Sequence, residues 1–441
     1  MFGTHAGQHD RHSKDRDALR VPAVSRRVLI LSWEYPPVIE GGLARHVRKL
    51  SEALVSEVGA EVHVLTRAGA STEPREERHG VIVHRVATPP FPAQTDRFLD
   101  WVAQMNTELF ARGEQLREQL GFDVVHGHDW LVADASKRLA RVTGAPFVAT
   151  IHATEHGRHQ GWVAQPPQSQ IHATERWMAH AADQLIVCSH YMREHIAEVF
   201  GLDAHTGGPG TSGGASPADG SPRPILVIPN GIDSADLKPL SDLAALRARF
   251  ARPDEKLVLL IGRLVYEKGF QDALEALGGP GGVIERDARV RFVIAGSGTH
   301  EPELRAQAAA LGLDDHGTFL GWIGDDLLHS LYRVADLTVV PSIYEPFGLV
   351  ALEAMASGCP CIVADTGGLR EIVPDAALAL SFRSGDPRSL AVAIERVLNE
   401  PELRDQLVAE ASAHVQGFDW NAVAARTAST YEGLLEKAAT S

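Results

Sequence analysis

The sequence predicts an α/β protein in which two doubly wound, parallel-sheet domains face a central cleft. Three observations carry this expectation. Short β-branched runs alternate with segments of helical spacing from about residue 27 onward, and such alternation builds parallel sheets with helices on both faces. The runs fall into two series separated by Ser234 to Asp254. With 441 residues the chain is long enough for two or three domains of about 100 to 200 residues, each with a core of its own.

Taken in order, residues 1–25 are rich in His, Arg and Asp and lack an apolar stretch, so they read as a disordered tail and as neither a secretory signal nor a transit helix. The first domain is expected over residues 26–235. It opens with the run Val28 to Leu31. Gly41 and Gly42 follow, and then Leu43, Val47, Leu50 and Leu54, whose spacing of four, three and four marks one helix face. Further strands are expected at Val62 to Leu65, Val81 to Val83, Val124 to His126, Phe147 to Ile151, Leu185 to Val187 and Ile225 to Ile228. Segment Arg97 to Leu120 sets Phe98, Trp101, Val102, Met105 and Leu109 along one side with mixed charges elsewhere, which fits a core-facing helix better than a membrane-docking one. Residues 201–224, dense in Gly, Ser, Pro and Ala, read as a flexible insertion.

Residues 236–254 read as a linker and 255–418 as the second domain. Its strands are expected at Leu257 to Ile261, Phe292 to Ile294, Phe319 to Leu320, Leu337 to Val340, Cys361 to Ala364 and Leu378 to Ser381. Within 419–441, Trp420, Val423, Thr427, Tyr431 and Leu434 recur at three, four, four and three, which is one face of a final helix.

Charge and composition narrow the function. There are 42 Lys and Arg against 57 Asp and Glu, a formal charge of −15. That field opposes diffuse binding to nucleic acid or anionic membranes, so any phosphate must be held locally. No apolar run approaches the roughly 18 residues needed to cross a bilayer. Cys188, Cys359 and Cys361 form neither a disulfide framework nor a four-ligand zinc spacing, which suits a cytoplasmic location. Gly296-Ser-Gly298 is not a dinucleotide fingerprint, because Glu301 stands where the last glycine would be. His126 and His128 form an i, i+2 pair on one strand face, but the sequence places no third metal ligand beside them.

The richest constellation follows Leu337 to Val340. Glu345 lies in a loop and Glu353 two turns into the next helix, while the N-H groups of Gly348 to Val350 start that helix and can receive an anion. Arg263 and Lys268 follow Leu257 to Ile261 and reach the same sheet edge, where a guanidinium and an ammonium can neutralise a diphosphate.

Together these residues resemble the retaining, GT-B-fold, family-4 glycosyltransferases. The resemblance rests on Glu345-Pro-Phe-Gly-Leu with Glu353, Gly41-Gly42, His152, Pro229-Asn-Gly-Ile-Asp233, Gly262-Arg263 with Lys268, Phe319-Leu-Gly-Trp322, Pro341-Ser342 and Thr366-Gly-Gly-Leu-Arg-Glu371. It implies that Arg263 and Lys268 bind the donor diphosphate beneath Gly41 and Gly42. Glu353 would receive the ribose hydroxyls, and Glu345 and His152 would meet the transferred hexose. Backbone groups of Phe347, Gly348 and Leu349 would meet the sugar and phosphate. The final helix would cross back to the first domain. Trp33-Glu-Tyr35, with His128-Asp129-Trp130, resembles the glucan-synthase side of the family and would face the acceptor; Ser32-Trp-Glu-Tyr-Pro-Pro37 and the Arg45-His46 after Gly42 most resemble actinobacterial α-1,4-glucosyltransferases. The implied partners are an NDP-glucose, UDP- or ADP-linked, and a glucan or oligosaccharide acceptor, with no cofactor and no metal. A small phosphorylated or lipid acceptor, and a non-catalytic glucan-binding protein of the same fold, are the alternatives. One position departs from ordinary bacterial glycogen synthases: the lysine they carry two residues before the glycine pair is Ile39 here.

Overall fold

In the computed structural model, residues 26–92, 97–202 and 224–440 are described. The expected tail and nearly all of the 201–224 insertion lie outside them. The first sheet contains β1 (Arg27–Leu31), β2 (Glu61–Arg67), β3 (Arg75–Arg78), β4 (Val81–Val86), β5 (Val124–His128), β6 (Phe147–Ile151), β7 (Gln184–Val187) and β8 (Ile225–Val227), in the order β3-β4-β2-β1-β5-β6-β7-β8. The second contains β9 (Lys256–Ile261), β10 (Val290–Ala295), β11 (Gly317–Gly321), β12 (Leu337–Val340), β13 (Cys361–Ala364) and β14 (Leu380–Phe382), in the order β11-β10-β9-β12-β13-β14. Neighbours run parallel except β3 and β4. This is the α/β, two-sheet GT-B architecture that the sequence predicts. In both sheets the order reverses beside the first strand of the series, which is where such folds bind ligands.

Period-two alternation divides β1 between two layers. Leu29 and Leu31 join the cluster that includes Trp101, Met105 and Leu109 of helix Phe98–Leu120, so that helix does face the core. Val28 and Ile30 join Val47 and Leu50 of helix Gly42–Ala53. Strand β3 was not anticipated. Its sequence, Arg-Glu-Glu-Arg, carries no apolar residue and pairs antiparallel with β4 at the sheet edge, where charge discourages pairing with another chain.

Segment 236–254 is more than a connector. Helix Leu243–Ala248 is capped by Asp242, buries Leu246, and is tied to the second domain by Arg247 and Asp336 at 2.8 Å. After Phe418 the chain returns to the first domain. Trp420, Val423, Ala424 and Tyr431 of helix Trp420–Thr440 share a cluster with Val28, Ile30 and Val47, and Tyr431 Oη meets His126 Nδ1 at 2.7 Å. The chain therefore passes between the domains twice, and the Ile232 N-H donates to the Phe418 carbonyl at 2.8 Å where the two passages meet.

Candidate active site

The second domain supplies the charged floor of the cleft. Beyond β9, the turn Tyr266–Lys268 ends at Gly269, whose φ of 71° and contact with the Pro341 carbonyl leave no room for a Cβ. The N-H groups of Ile343 and Tyr344 donate to the Glu267 carbonyl at 2.9 and 3.2 Å. This pins the turn against the loop after β12. Lys268 Nζ consequently lies 2.6 Å from Glu345 Oε2, which also accepts from Ser342 Oγ at 3.0 Å. Arg263 reaches Glu267 only at 3.7 Å and keeps 42% of its side chain exposed. Burial, and then the charge of Arg158 in the other domain, lower its pKa.

Helix Leu349–Ala356 starts at Gly348, whose φ of 119° favours glycine. The Gly348 carbonyl receives the N-H groups of Ala351 and Leu352, so the N-H groups that open the helix remain for a ligand. Glu353 is buried and already engaged, with Tyr332 Oη donating to Oε2 at 2.9 Å and Arg45 Nη1 to Oε1 at 3.2 Å. The ring of Phe347 is buried and packs 6.2 Å from Phe418, which leaves its backbone as the part available to a ligand.

The first domain forms the roof. Glu34 accepts the N-H groups of Glu40 and Gly41, and burial pushes its pKa up to about 7. The loop so held brings Gly42 against Leu349 of the second domain, where an added Cβ would lie 3.0 Å from Cδ1. Deeper in, Asp129 adopts φ 62° and accepts the His152 N-H at 2.7 Å. His152 Nε2 is 3.0 Å from His128 Nδ1, and His46 Nδ1 is 2.8 Å from Asn230 Oδ1. Burial holds all three imidazoles neutral at physiological pH, with His152 lowered to about 3, so His152 can exchange hydrogen bonds with a sugar hydroxyl without bringing a charge.

The acceptor-side expectation changes here. His126 turns its ring nitrogens to Tyr431 and Thr150, each at 2.7 Å. His128 also clusters with His46 and His152, from distant segments, and the ring nitrogens of these three lie within 4.8 Å of one another. Tyr35 offers no acceptor surface. It is 1% exposed and sits in the core beneath helix Gly42–Ala53. Trp130 is likewise buried, edge-on to Phe98 at 6.0 Å. Trp33 is half-buried beside Trp101 and Phe91, with the Arg67 guanidinium 5.0 Å from its ring.

Sequence reasoning gave no joining role to the residues that hold the halves together. Arg45 pairs with both Asp325 and Glu353. Tyr344 Oη accepts the Thr154 N-H at 3.1 Å. Glu371 accepts the His190 and Tyr191 N-H groups at 2.9 and 2.7 Å, placing a carboxylate at the first turn of helix His190–Phe200. The separations, 308 residues for Arg45 and Glu353, leave no local signal.

Two cations, an uncapped helix start and a glycine roof can hold a diphosphate, with carboxylates and neutral imidazoles beside it for hydroxyls. A cleft of this build between two parallel-sheet domains defines a GT-B transferase. More specifically, the chain belongs to the family-4, group-1 glycosyltransferases: residues 40–206 match the model described as Glycosyltransferase Family 4, and 244–414 that described as Glycosyl transferases group 1. A glycogen synthase of Mycobacterium tuberculosis is 38% identical over 92% of this chain and 94% of its own length. A D-inositol 3-phosphate glycosyltransferase of Acidothermus cellulolyticus is 32% identical over 98% and 94%. Among solved structures, sucrose-phosphate synthase of Thermosynechococcus elongatus superimposes with a TM-score of 0.76 at 24% identity, covering 94% of this chain and all of that one. No helix among the described residues is long and apolar enough to cross a membrane.

Proposed function

We propose that the protein moves glucose from an NDP-glucose to an α-glucan or maltooligosaccharide in the cytoplasm, with retention of configuration and formation of an α-1,4 linkage. The observation that carries this is the convergence of Arg263, the Lys268–Glu345 pair and the start of helix Leu349–Ala356 beneath Gly41 and Gly42. The donor's diphosphate lies on the cations and free N-H groups, its ribose hydroxyls on Glu353, and its hexose between Glu345 and His152. As the glycosidic C-O bond breaks, the sugar becomes oxocarbenium-like and the departing phosphate gains charge. Fixed cations then stabilise the transition state more than the bound substrate. The acceptor hydroxyl attacks from the face the diphosphate leaves and passes its proton to a phosphate oxygen. No metal enters this scheme, and turnover is expected to withstand EDTA.

The deciding experiment incubates the full chain with UDP-, ADP- and GDP-sugars against glucose, maltooligosaccharides, glycogen and sugar phosphates, and determines the product linkage. An α-1,4 glucosyl product supports the reading. Turnover confined to a non-glucosyl donor or to a different linkage rejects it, and absence of both transfer and hydrolysis with every nucleotide favours a non-catalytic glucan-binding protein. A small phosphorylated acceptor is the second reading, favoured by the likeness to the D-inositol 3-phosphate glycosyltransferase over 98% of the chain.

A further inference from the structure

Arg158 is half-buried and closes the short helix Glu155–Arg158 after β6. Thr154 fixes that helix, its Oγ1 accepting the Gly157 N-H at 3.0 Å while its own N-H donates to Tyr344 Oη at 3.1 Å. Gly157 lies so close to the Tyr344 ring that a Cβ would collide with it. The helix is thereby held against the residue that precedes Glu345. Charged and polar groups surround Arg158: Asp129, Glu175, Tyr344 and Glu155 raise its pKa against burial. Yet among the described residues its guanidinium makes no hydrogen bond or ion pair, and the three carboxylates are used elsewhere. Asp129 accepts from the His152 backbone, Glu175 accepts the Glu155 N-H with both oxygens, and Glu155 faces His159 at 3.1 Å. Burial also raises Glu175 to about 8, which keeps it largely protonated at neutral pH and reduces the negative charge available to Arg158. Across the cleft stands Arg263, disfavoured by the charge of Arg158. With its helix seated on Tyr344, next to Glu345 and the paired Lys268, Arg158 stands beside the cationic floor, and an anion between Arg158 and Arg263 would relieve their mutual repulsion.

We propose that Arg158 binds a phosphate group in the cleft, so that it and Arg263 hold one anion from opposite sides. The phosphate belongs either to a phosphorylated acceptor or to the donor diphosphate. The inference deepens the transferase reading and rests on it for the identity of the ligand, but phosphate binding can be measured without turnover.

The test compares wild type with Arg158→Gln and Arg158→Lys. Inorganic phosphate and pyrophosphate binding by calorimetry is expected to weaken roughly ten- to a hundredfold in Arg158→Gln, the loss of one charge-assisted hydrogen-bond donor, with partial recovery in Arg158→Lys. A raised Km for glucose 1-phosphate or glucose 6-phosphate relative to maltose, at unchanged UDP and ADP Kd, assigns the acceptor phosphate. A raised UDP or ADP Kd assigns the donor. Unchanged phosphate affinity with a lowered Tm overturns the proposal and makes Arg158 a counterion for the buried carboxylates. Should Arg158→Gln fail to fold, the guanidinium NMR signal of wild-type Arg158 decides, because no shift on adding phosphate overturns the proposal as well. Phosphate binding that depends on Arg158 in a protein without transferase activity would reject the transferase reading and leave this one standing.

Discussion

Lys268 and Glu345 stand 2.6 Å apart on segments brought together by the Gly269 turn, and each depends on the other. Under the proposed assignment, Lys268→Ala removes a cation from the departing phosphate and leaves the buried Glu345 carboxylate without its cation, with the Ser342 hydroxyl still donating to it. We expect kcat/KM to fall about a hundred- to a thousandfold in folded protein, as for loss of one oxyanion donor, measured by steady-state kinetics with circular dichroism as the fold control. Glu175 supplies a pH-dependent case. Its carboxyl is raised by burial from 4.5 to about 8. Between those values the folded state holds a proton that the unfolded chain has released, so the contribution to stability is complete below 4.5 and is lost as pH rises through 8. Glu175→Gln cannot ionise and is expected to flatten the decline of Tm with pH over that window, whereas an unchanged slope would show that Glu175 is not its source. Legibility at this scale follows sequence distance. Arg263, Lys268, Glu345 and Glu353 could be picked out because each pair lies in the loop or helix that directly follows one strand. Arg45, Arg158 and Tyr344 could not, because their meaning depends on which strand ends meet across the cleft.

Elements were legible where apolar runs mark them. β6, β12 and β13 have the residue ranges expected, since each is a run of fully buried residues. β3 escaped because an edge strand can be held by backbone pairing alone, and helix Leu243–Ala248 because its buried face is little more than Leu246. Among the helices, the start of Leu349–Ala356 matters most. A Cβ at Gly348 would combine a φ of 119° with a 2.7 Å contact to Leu369 Cδ2. Gly348→Ala is expected to cost about 1 to 3 kcal/mol of stability and to weaken UDP or ADP binding, because relief of the clash would tilt the N-H groups proposed to bind the donor. A drop in Tm together with unchanged nucleotide Kd by calorimetry would mean that those N-H groups do not touch the donor.

At the scale of the molecule, the final helix belongs to the second half by sequence and to the first half by packing. Deleting residues 419–441 exposes the layer of Val28, Ile30 and Val47 and removes the Tyr431 partner of His126. Differential scanning calorimetry is expected to show the first domain melting well before the second, where the full chain melts as one unit, and a single unshifted transition would contradict the assigned role. The two passages between the halves have a mechanical consequence. One linker would let the domains tumble like beads on a cord. Two linkers, joined where Ile232 meets Phe418, restrict them to swinging about a common line, like book covers on a spine. Any opening about that line would return Gly41 and Gly42 to the same place over Lys268 and Glu345, so the proposed catalytic alignment would be kept by the hinge and need not be rediscovered at every turnover.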